Sequence, residues 1–125
     1  MSEMGARTVA FVLYPGLTPL DLIGPLQVLN RLPSADSRFQ VTAVGERVES
    51  MSSDVPVKLL PEKTFDQVPE PYVVLVPGGG LGTIRAMGNQ AIREYLVAAA
   101  ETAHTVASVC TGALILGAAD TRPSR

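Results

Sequence analysis

Four runs of apolar and β-branched residues stand out along the chain and predict strands. They cover residues 8–14, 39–44, 72–76 and 105–109. Continuous runs of this kind are typical of strands buried on both faces, as in a parallel sheet, while residues 39–44 alternate between apolar and polar positions. The pattern therefore predicts a sheet that is covered by other elements of the chain.

Three segments carry apolar residues at helical spacing and predict helices at 20–32, 90–102 and 111–119. Pro25 stands near the start of the first helix, where a missing N–H costs least. Residues 48–65 are polar and interrupted by two prolines, which indicates short antiparallel pieces and connecting loop. Strands that alternate with helices predict one α/β domain over residues 1–125, with a parallel sheet and right-handed crossovers.

Composition narrows the class of protein. A length of 125 residues, with 46% hydrophobic and 18% charged, suits one globular domain. The single cysteine, Cys110, and the single histidine, His104, cannot supply a disulfide scaffold or a four-ligand zinc site. A net charge of −2 without a basic cluster argues against nucleic-acid binding. Apolar runs are too short for a membrane span or a signal peptide, so we expect a cytoplasmic protein.

The strongest candidate for chemistry is Cys110, in the sequence Ser108-Val109-Cys110-Thr111-Gly112. It stands where a predicted strand turns directly into a helix, and small residues two before and two after it are typical of a nucleophile elbow. Positive charge at a helix N-terminus favours the reactive thiolate. The alternative is a buried structural cysteine, which is a common fate of a free thiol.

A second candidate is the run Pro77-Gly78-Gly79-Gly80, which also follows a predicted strand. Consecutive glycines let backbone N–H groups face a bound atom, so Gly78 and Gly79 are candidate donors of an oxyanion hole. Dinucleotide binding is disfavoured because Thr83 stands where the third glycine is needed. A plain turn between strand and helix is the alternative.

Asp21 follows the first predicted strand at the start of a leucine-rich helix. It is either a helix N-cap or a proton carrier beside Cys110, because the ends of the two strands share one crevice in a doubly wound sheet. His104 precedes its strand, so we place it at the opposite end of the sheet and discount a Cys–His pair. Tyr14 is a candidate for the lining of the pocket.

These features, in this order, resemble the DJ-1/PfpI superfamily, and residues 14–29, 76–79 and 108–113 look most like its isocyanide (isonitrile) hydratase branch. The resemblance implies a flavodoxin-like fold, a homodimer, a small-molecule substrate, and no metal or organic cofactor. It also implies that Cys110 is the nucleophile, Asp21 the nearby carboxylate and Thr111 a contact of the active site. Gly78 and Gly79 would support the anionic intermediate.

The implied reaction hydrates an isocyanide to an N-substituted formamide. Two alternatives remain: a ligand-sensing domain of an AraC-type transcription regulator, or another activity of the superfamily such as aldehyde detoxification. Members of the superfamily continue beyond the elbow helix with further strands, whereas this sequence reads Asp120-Thr121-Arg122-Pro123-Ser124-Arg125. We therefore expect a domain whose C-terminal part is missing.

Overall fold

A central sheet of five parallel strands organises the computed structural model, which describes residues 6–119. The strands are β1 (Arg7–Val12), β2 (Phe39–Gly45), β3 (Met51–Ser52), β4 (Lys58–Leu59), β5 (Lys63–Thr64), β6 (Val73–Val76) and β7 (Thr105–Ser108). The spatial order of the central sheet is β5-β2-β1-β6-β7. A separate antiparallel ribbon, β3-β4, lies between β2 and β5 along the chain.

Helices connect these strands and cover the sheet. The helices are α1 (Pro19–Leu29), α2 (Leu32–Ala35), α3 (Leu81–Met87), α4 (Gln90–Thr102) and α5 (Gly112–Ala119), with a 3-10 turn at Phe65–Gln67. The middle strand β1 supplies the centre of the core, since residues 9–12 are at most 1% exposed. Helix α4 buries the face formed by Ile92, Leu96 and Ala99. Its exposed positions are mostly polar, as expected of an amphipathic helix.

The predicted fold class is confirmed: the chain has a parallel sheet flanked by helices, as in flavodoxin-like proteins. All four predicted strands are present within two residues at each end, and α4 has the predicted bounds. Residues 48–65 contain the expected short antiparallel ribbon.

Two helical predictions need correction. Helix α1 ends at Leu29 rather than residue 32, because the chain turns at Asn30 and resumes as the separate short helix α2 around Pro33. Helix α3 was not predicted at all. Its glycine-containing sequence and its length of 7 residues give little helical periodicity.

The amino end of the sheet carries an aromatic stack. The Tyr72 ring stacks on the His104 ring, with centroids 4.8 Å apart and planes at 12°. The Arg7 guanidinium lies 4.6 Å from the same Tyr72 ring centroid, a cation–π distance. Phe39 meets Tyr72 edge-on at 6.0 Å. The stack fixes His104 beside the start of β7, at the end of the sheet away from Cys110, as expected.

No helix within residues 6–119 combines the length and the apolar character needed to cross a bilayer.

Candidate active site

Cys110 occupies a strained turn between β7 and α5. Its φ of 50° is the only positive value at a non-glycine residue between residues 6 and 119. Left-handed backbone costs an L-residue about 1–2 kcal/mol, and such strain is concentrated at functional sites. Gly112 lets the turn close, because a Cβ there would overlap the carbonyl oxygen of Val76. The thiol is consequently held out at the carboxyl end of the sheet, where Cys110 is exposed.

Asp21 reaches this thiol from the first turn of α1. Its Oδ1 lies 3.9 Å from Cys110 Sγ, although the two residues are 89 positions apart. The helix N-cap is Thr18, and the Asp21 amide donates to the Thr18 carbonyl at 3.0 Å. Asp21 is half-buried and is not the cap residue, so the N-cap alternative does not hold.

The glycine run of residues 78–80 packs directly against Thr111. The Thr111 hydroxyl accepts a hydrogen bond from the Gly79 amide at 3.0 Å and donates to the Gly79 carbonyl at 2.9 Å. The Gly79 N–H is therefore already engaged. The amides of Gly78 and Thr111, by contrast, donate to no partner within residues 6–119.

Gly78 forms the floor between the carboxylate and the elbow. A Cβ at this position would lie 2.8 Å from Asp21 Oδ2, 2.8 Å from Thr111 Oγ1 and 3.0 Å from the Thr111 amide. Its carbonyl accepts a hydrogen bond from Thr18 at 2.8 Å. Only glycine leaves this space open without moving the groups around it.

A buried network of hydroxyl groups supports the glycine run from behind. Thr83 is 1% exposed, and its hydroxyl donates to the Gly79 carbonyl at 2.5 Å. The Tyr14 hydroxyl donates to the Pro77 carbonyl at 2.8 Å and lies 3.3 Å from Thr83 Oγ1. Burial raises the pKa of Tyr14; the Thr83 hydrogen bond opposes this rise, and the carboxylates of Asp21 and Asp54 add to it. Tyr14 therefore stays protonated and serves as a donor.

The structure brings Cys110, Asp21, Gly78, Gly79 and Thr111 together at one point. The sequence did not reveal the structural role of Thr83. This residue was considered only because it breaks a dinucleotide-binding motif. The role of Thr18 was also missed, although a threonine before a proline-initiated helix is a recognisable cap signal. No group of three or more His, Cys, Asp and Glu side chains within residues 6–119 could hold a metal ion.

Comparison with known proteins agrees with this architecture. The profile of the DJ-1/PfpI family matches residues 7–125. The chain belongs to the DJ-1/PfpI family. An isonitrile hydratase of Pseudomonas putida is 37% identical over 115 residues, which are 91% of this chain and 48% of the hydratase. The chain thus spans about half the length of that relative.

Solved structures give the same fold. A ThiJ/PfpI family protein from Pseudomonas syringae superposes with a TM-score of 0.82 at 28% identity, covering 93% of this chain and 47% of that one. An AraC family transcriptional regulator from Pseudomonas putida superposes with a TM-score of 0.70 at 21% identity, covering 91% of this chain and 61% of the regulator. At that identity, the second likeness speaks for the fold alone.

Proposed function

We propose that this DJ-1/PfpI chain carries an isocyanide-hydrating active site, in which Cys110 forms a covalent intermediate. The observation that carries the proposal is the Cys110 thiol, which is exposed on a strained turn with its sulfur 3.9 Å from Asp21 Oδ1. The likeness to an isonitrile hydratase supports the choice of substrate class.

In the first step, Cys110 Sγ attacks the terminal carbon of R–N≡C and forms the S–C bond. That carbon takes a proton delivered through Asp21, which lies within reach of the sulfur, and the product is the thioimidate R–N=CH–S–Cys110. Splitting one addition into two steps avoids a direct attack of water on the isocyanide.

In the second step, water adds to the thioimidate carbon and the nitrogen gains a proton. Collapse of this adduct breaks the S–C bond, releases R–NH–CHO and returns the proton to the thiol. The sum is R–N≡C plus water giving the formamide, with no oxidant or reductant. Asp21 serves as acid in the first step and as base toward water in the second.

Backbone amides stabilise the negative charge that develops on the intermediate. We assign this role to the Gly78 and Thr111 amides, since both lack hydrogen-bond partners within residues 6–119 and Gly78 lies against the Thr111 amide. Gly79 contributes differently, because its amide and its carbonyl are both bonded to the Thr111 hydroxyl. Thr111 and Gly79 thereby keep the Gly78 amide in place.

The test combines turnover with direct detection of the adduct. Incubation with an alkyl isocyanide should yield the formamide, measured by NMR, and intact mass should reveal an adduct on the only cysteine. Cys110→Ala should abolish both, and Asp21→Asn should slow adduct formation. His104→Ala is the matched control, since His104 lies at the other end of the sheet. Full turnover by Cys110→Ala would contradict the proposal.

The alternative is a sensing domain that binds a ligand without converting it. The likeness in fold to an AraC family regulator is compatible with that role. Saturable binding of an isocyanide or a formamide, with no formamide production and no adduct on Cys110, would favour sensing over catalysis.

A further inference from the structure

The Asp21 carboxylate is held in place by its backbone rather than by its own hydrogen bonds. Within residues 6–119 its only side-chain contact of that kind is the Cys110 thiol at 3.9 Å. Its distance from the sulfur therefore depends on where the first turn of α1 is anchored. That anchor is Thr18, whose carbonyl accepts the Asp21 amide at 3.0 Å.

Thr18 connects three parts of the site. Its amide donates to the Gly78 carbonyl at 2.8 Å, and its hydroxyl donates to Asp54 Oδ2 at 2.5 Å. A threonine at a helix N-cap ordinarily uses its oxygen to accept from an amide of the first turn. Here Thr18 makes no such side-chain cap bond. Its hydroxyl serves the contact with Asp54 instead.

Asp54 belongs to the turn of the β3-β4 ribbon, which reaches back to the loop before α1. The Asp54 amide donates to the Leu17 carbonyl at 3.0 Å, and the Gly16 amide donates to the Ser52 carbonyl at 2.8 Å. The Ser53 hydroxyl donates to the Val57 carbonyl at 2.6 Å and closes the turn of the ribbon. Backbone hydrogen bonds thus hold Asp54 in place independently of the contact between its carboxylate and the Thr18 hydroxyl.

The loop before α1 is also confined on its other side. Gly16 has a φ of +88°, and a Cβ there would lie 2.9 Å from the Gly82 Cα of α3. A Cβ on Gly82 would lie 2.6 Å from the Pro15 carbonyl oxygen. The loop is held between α3 and the ribbon, so α1 begins from a segment that is confined on both sides.

From this geometry we infer that Thr18 and Asp54 are positioning residues that set the distance between Asp21 and Cys110. The inference rests on the proposed function for its catalytic consequence, whereas its structural part stands on the hydrogen bonds alone. It gives the β3-β4 ribbon a role in the site: the ribbon supplies the carboxylate that anchors the Thr18 hydroxyl.

The first test uses the reactivity of Cys110, which requires no turnover. Because Cys110 is the only cysteine, the rate of alkylation by iodoacetamide reports on this thiol alone. Thr18→Val removes the hydroxyl and keeps the shape of the side chain. We expect it to change the alkylation rate across pH 6–9 in the same direction as Asp21→Asn, by about threefold or more. Thr18→Ser keeps the hydroxyl and should behave as wild type.

The double variant separates positioning from general damage. If Thr18 acts through Asp21, Thr18→Val should have no further effect in an Asp21→Asn background. Asp54→Ala should behave as Thr18→Val does. The matched control is Thr42→Val, which removes an equally short bond, from Thr42 Oγ1 to Glu62 Oε1 at 2.5 Å, outside the site.

Amide hydrogen exchange tests the positioning role of Thr18, and hydration kinetics test the proposed function. The two proposals can therefore fail separately. Thr18→Val should speed amide exchange in residues 17–22, and with an active protein it should lower kcat with little change in KM. Unchanged exchange and alkylation in Thr18→Val, or an undiminished effect in the Asp21→Asn background, would overturn the positioning inference. Hydration that is unaffected by Asp21→Asn would instead overturn the proposed function, and the exchange result would still decide the role of Thr18.

Discussion

The two ends of the parallel sheet use charged and aromatic side chains in opposite ways. At the amino end, Tyr72 is stacked on His104 and lies against the Arg7 guanidinium. At the carboxyl end, Cys110 Sγ and Asp21 Oδ1 are 3.9 Å apart, and Gly78 lies beside Asp21 and Thr111. One end is filled by its own side chains, and the other is left open.

Chain topology explains the difference. In a parallel sheet every strand delivers its following loop to the carboxyl end, so helix N-termini and unpaired amides gather there. The neighbouring strands β1, β6 and β7 supply Asp21, Gly78 and Cys110 in this way. The amino end receives the incoming segments, and there Arg7, Tyr72 and His104 pack against one another. Changes at the two ends should therefore separate activity from stability.

The largest expected effect comes from filling the open end. Gly78→Ala should lower isocyanide hydration by about a hundredfold, because its Cβ would displace Asp21 or Thr111 from the reacting groups. Gly24→Ala is the matched control, since a Cβ there meets nothing within 4 Å. It should leave hydration unchanged. Equal hydration rates of Gly78→Ala and Gly24→Ala would contradict the assignment of the active site to the carboxyl end of the sheet.

The next effect concerns the hydroxyl groups behind the site. Thr83→Val should lower the free energy of unfolding by about 1–2 kcal/mol, because a buried hydroxyl that donates to the Gly79 carbonyl is lost. Hydration should fall as well, since the same carbonyl fixes the glycine run. Thr83→Ser retains the hydroxyl and should recover the hydration rate. If Thr83→Ser did not recover the hydration rate, the rate would depend on the methyl group of Thr83 and not on its hydrogen bond.

At the filled end, a change should affect stability alone. His104→Ala removes the ring that stacks on Tyr72 and should lower the free energy of unfolding by about 0.5–1.5 kcal/mol. The hydration rate should stay at the wild-type value. A loss of activity with unchanged stability would show that the amino end communicates with the site.

The smallest effect is a pH dependence at the surface. Hydrogen bonds from Arg38 hold the pKa of Asp36 at about 2, below its usual 3.8. The ionised carboxylate is therefore favoured in the folded state, and its stabilisation is present above about pH 4 and lost as the pH falls toward 2. Asp36→Asn should lower Tm slightly at pH 6, and the difference should shrink on acidification and with added salt. A constant difference from pH 6 to pH 2 would contradict this origin.

Sequence patterns predicted the parts of this molecule that depend on neighbours along the chain. Continuous apolar runs gave β1, β6 and β7, and their order indicated that Asp21 and Cys110 would meet. The crevice rule for parallel sheets brought that pair together and left a helix N-cap open as the alternative for Asp21. The rule did not predict the hydrogen bonds between Gly79 and Thr111. It predicts which loops lie together, and it does not specify which amide donates to which hydroxyl.

The remaining features depend on contacts that leave no periodic signal. Helix α3 is stabilised by packing at Gly82, Thr83 and Ala86, and its sequence alone does not favour a helix. The Thr18–Asp54 hydrogen bond joins segments 36 residues apart through a ribbon with only two residues in each strand. Neither composition nor spacing indicates that this ribbon folds back toward α1.

The positive φ of Cys110 bears on which residues can occupy this position in evolution. A glycine would adopt that backbone without strain, so Cys110→Gly relieves the turn while it removes the thiol. Under the proposed function, the nucleophile is the reason to keep a thiol at a backbone position that glycine would occupy without strain. At this elbow, ease of folding and the proposed chemistry favour different residues.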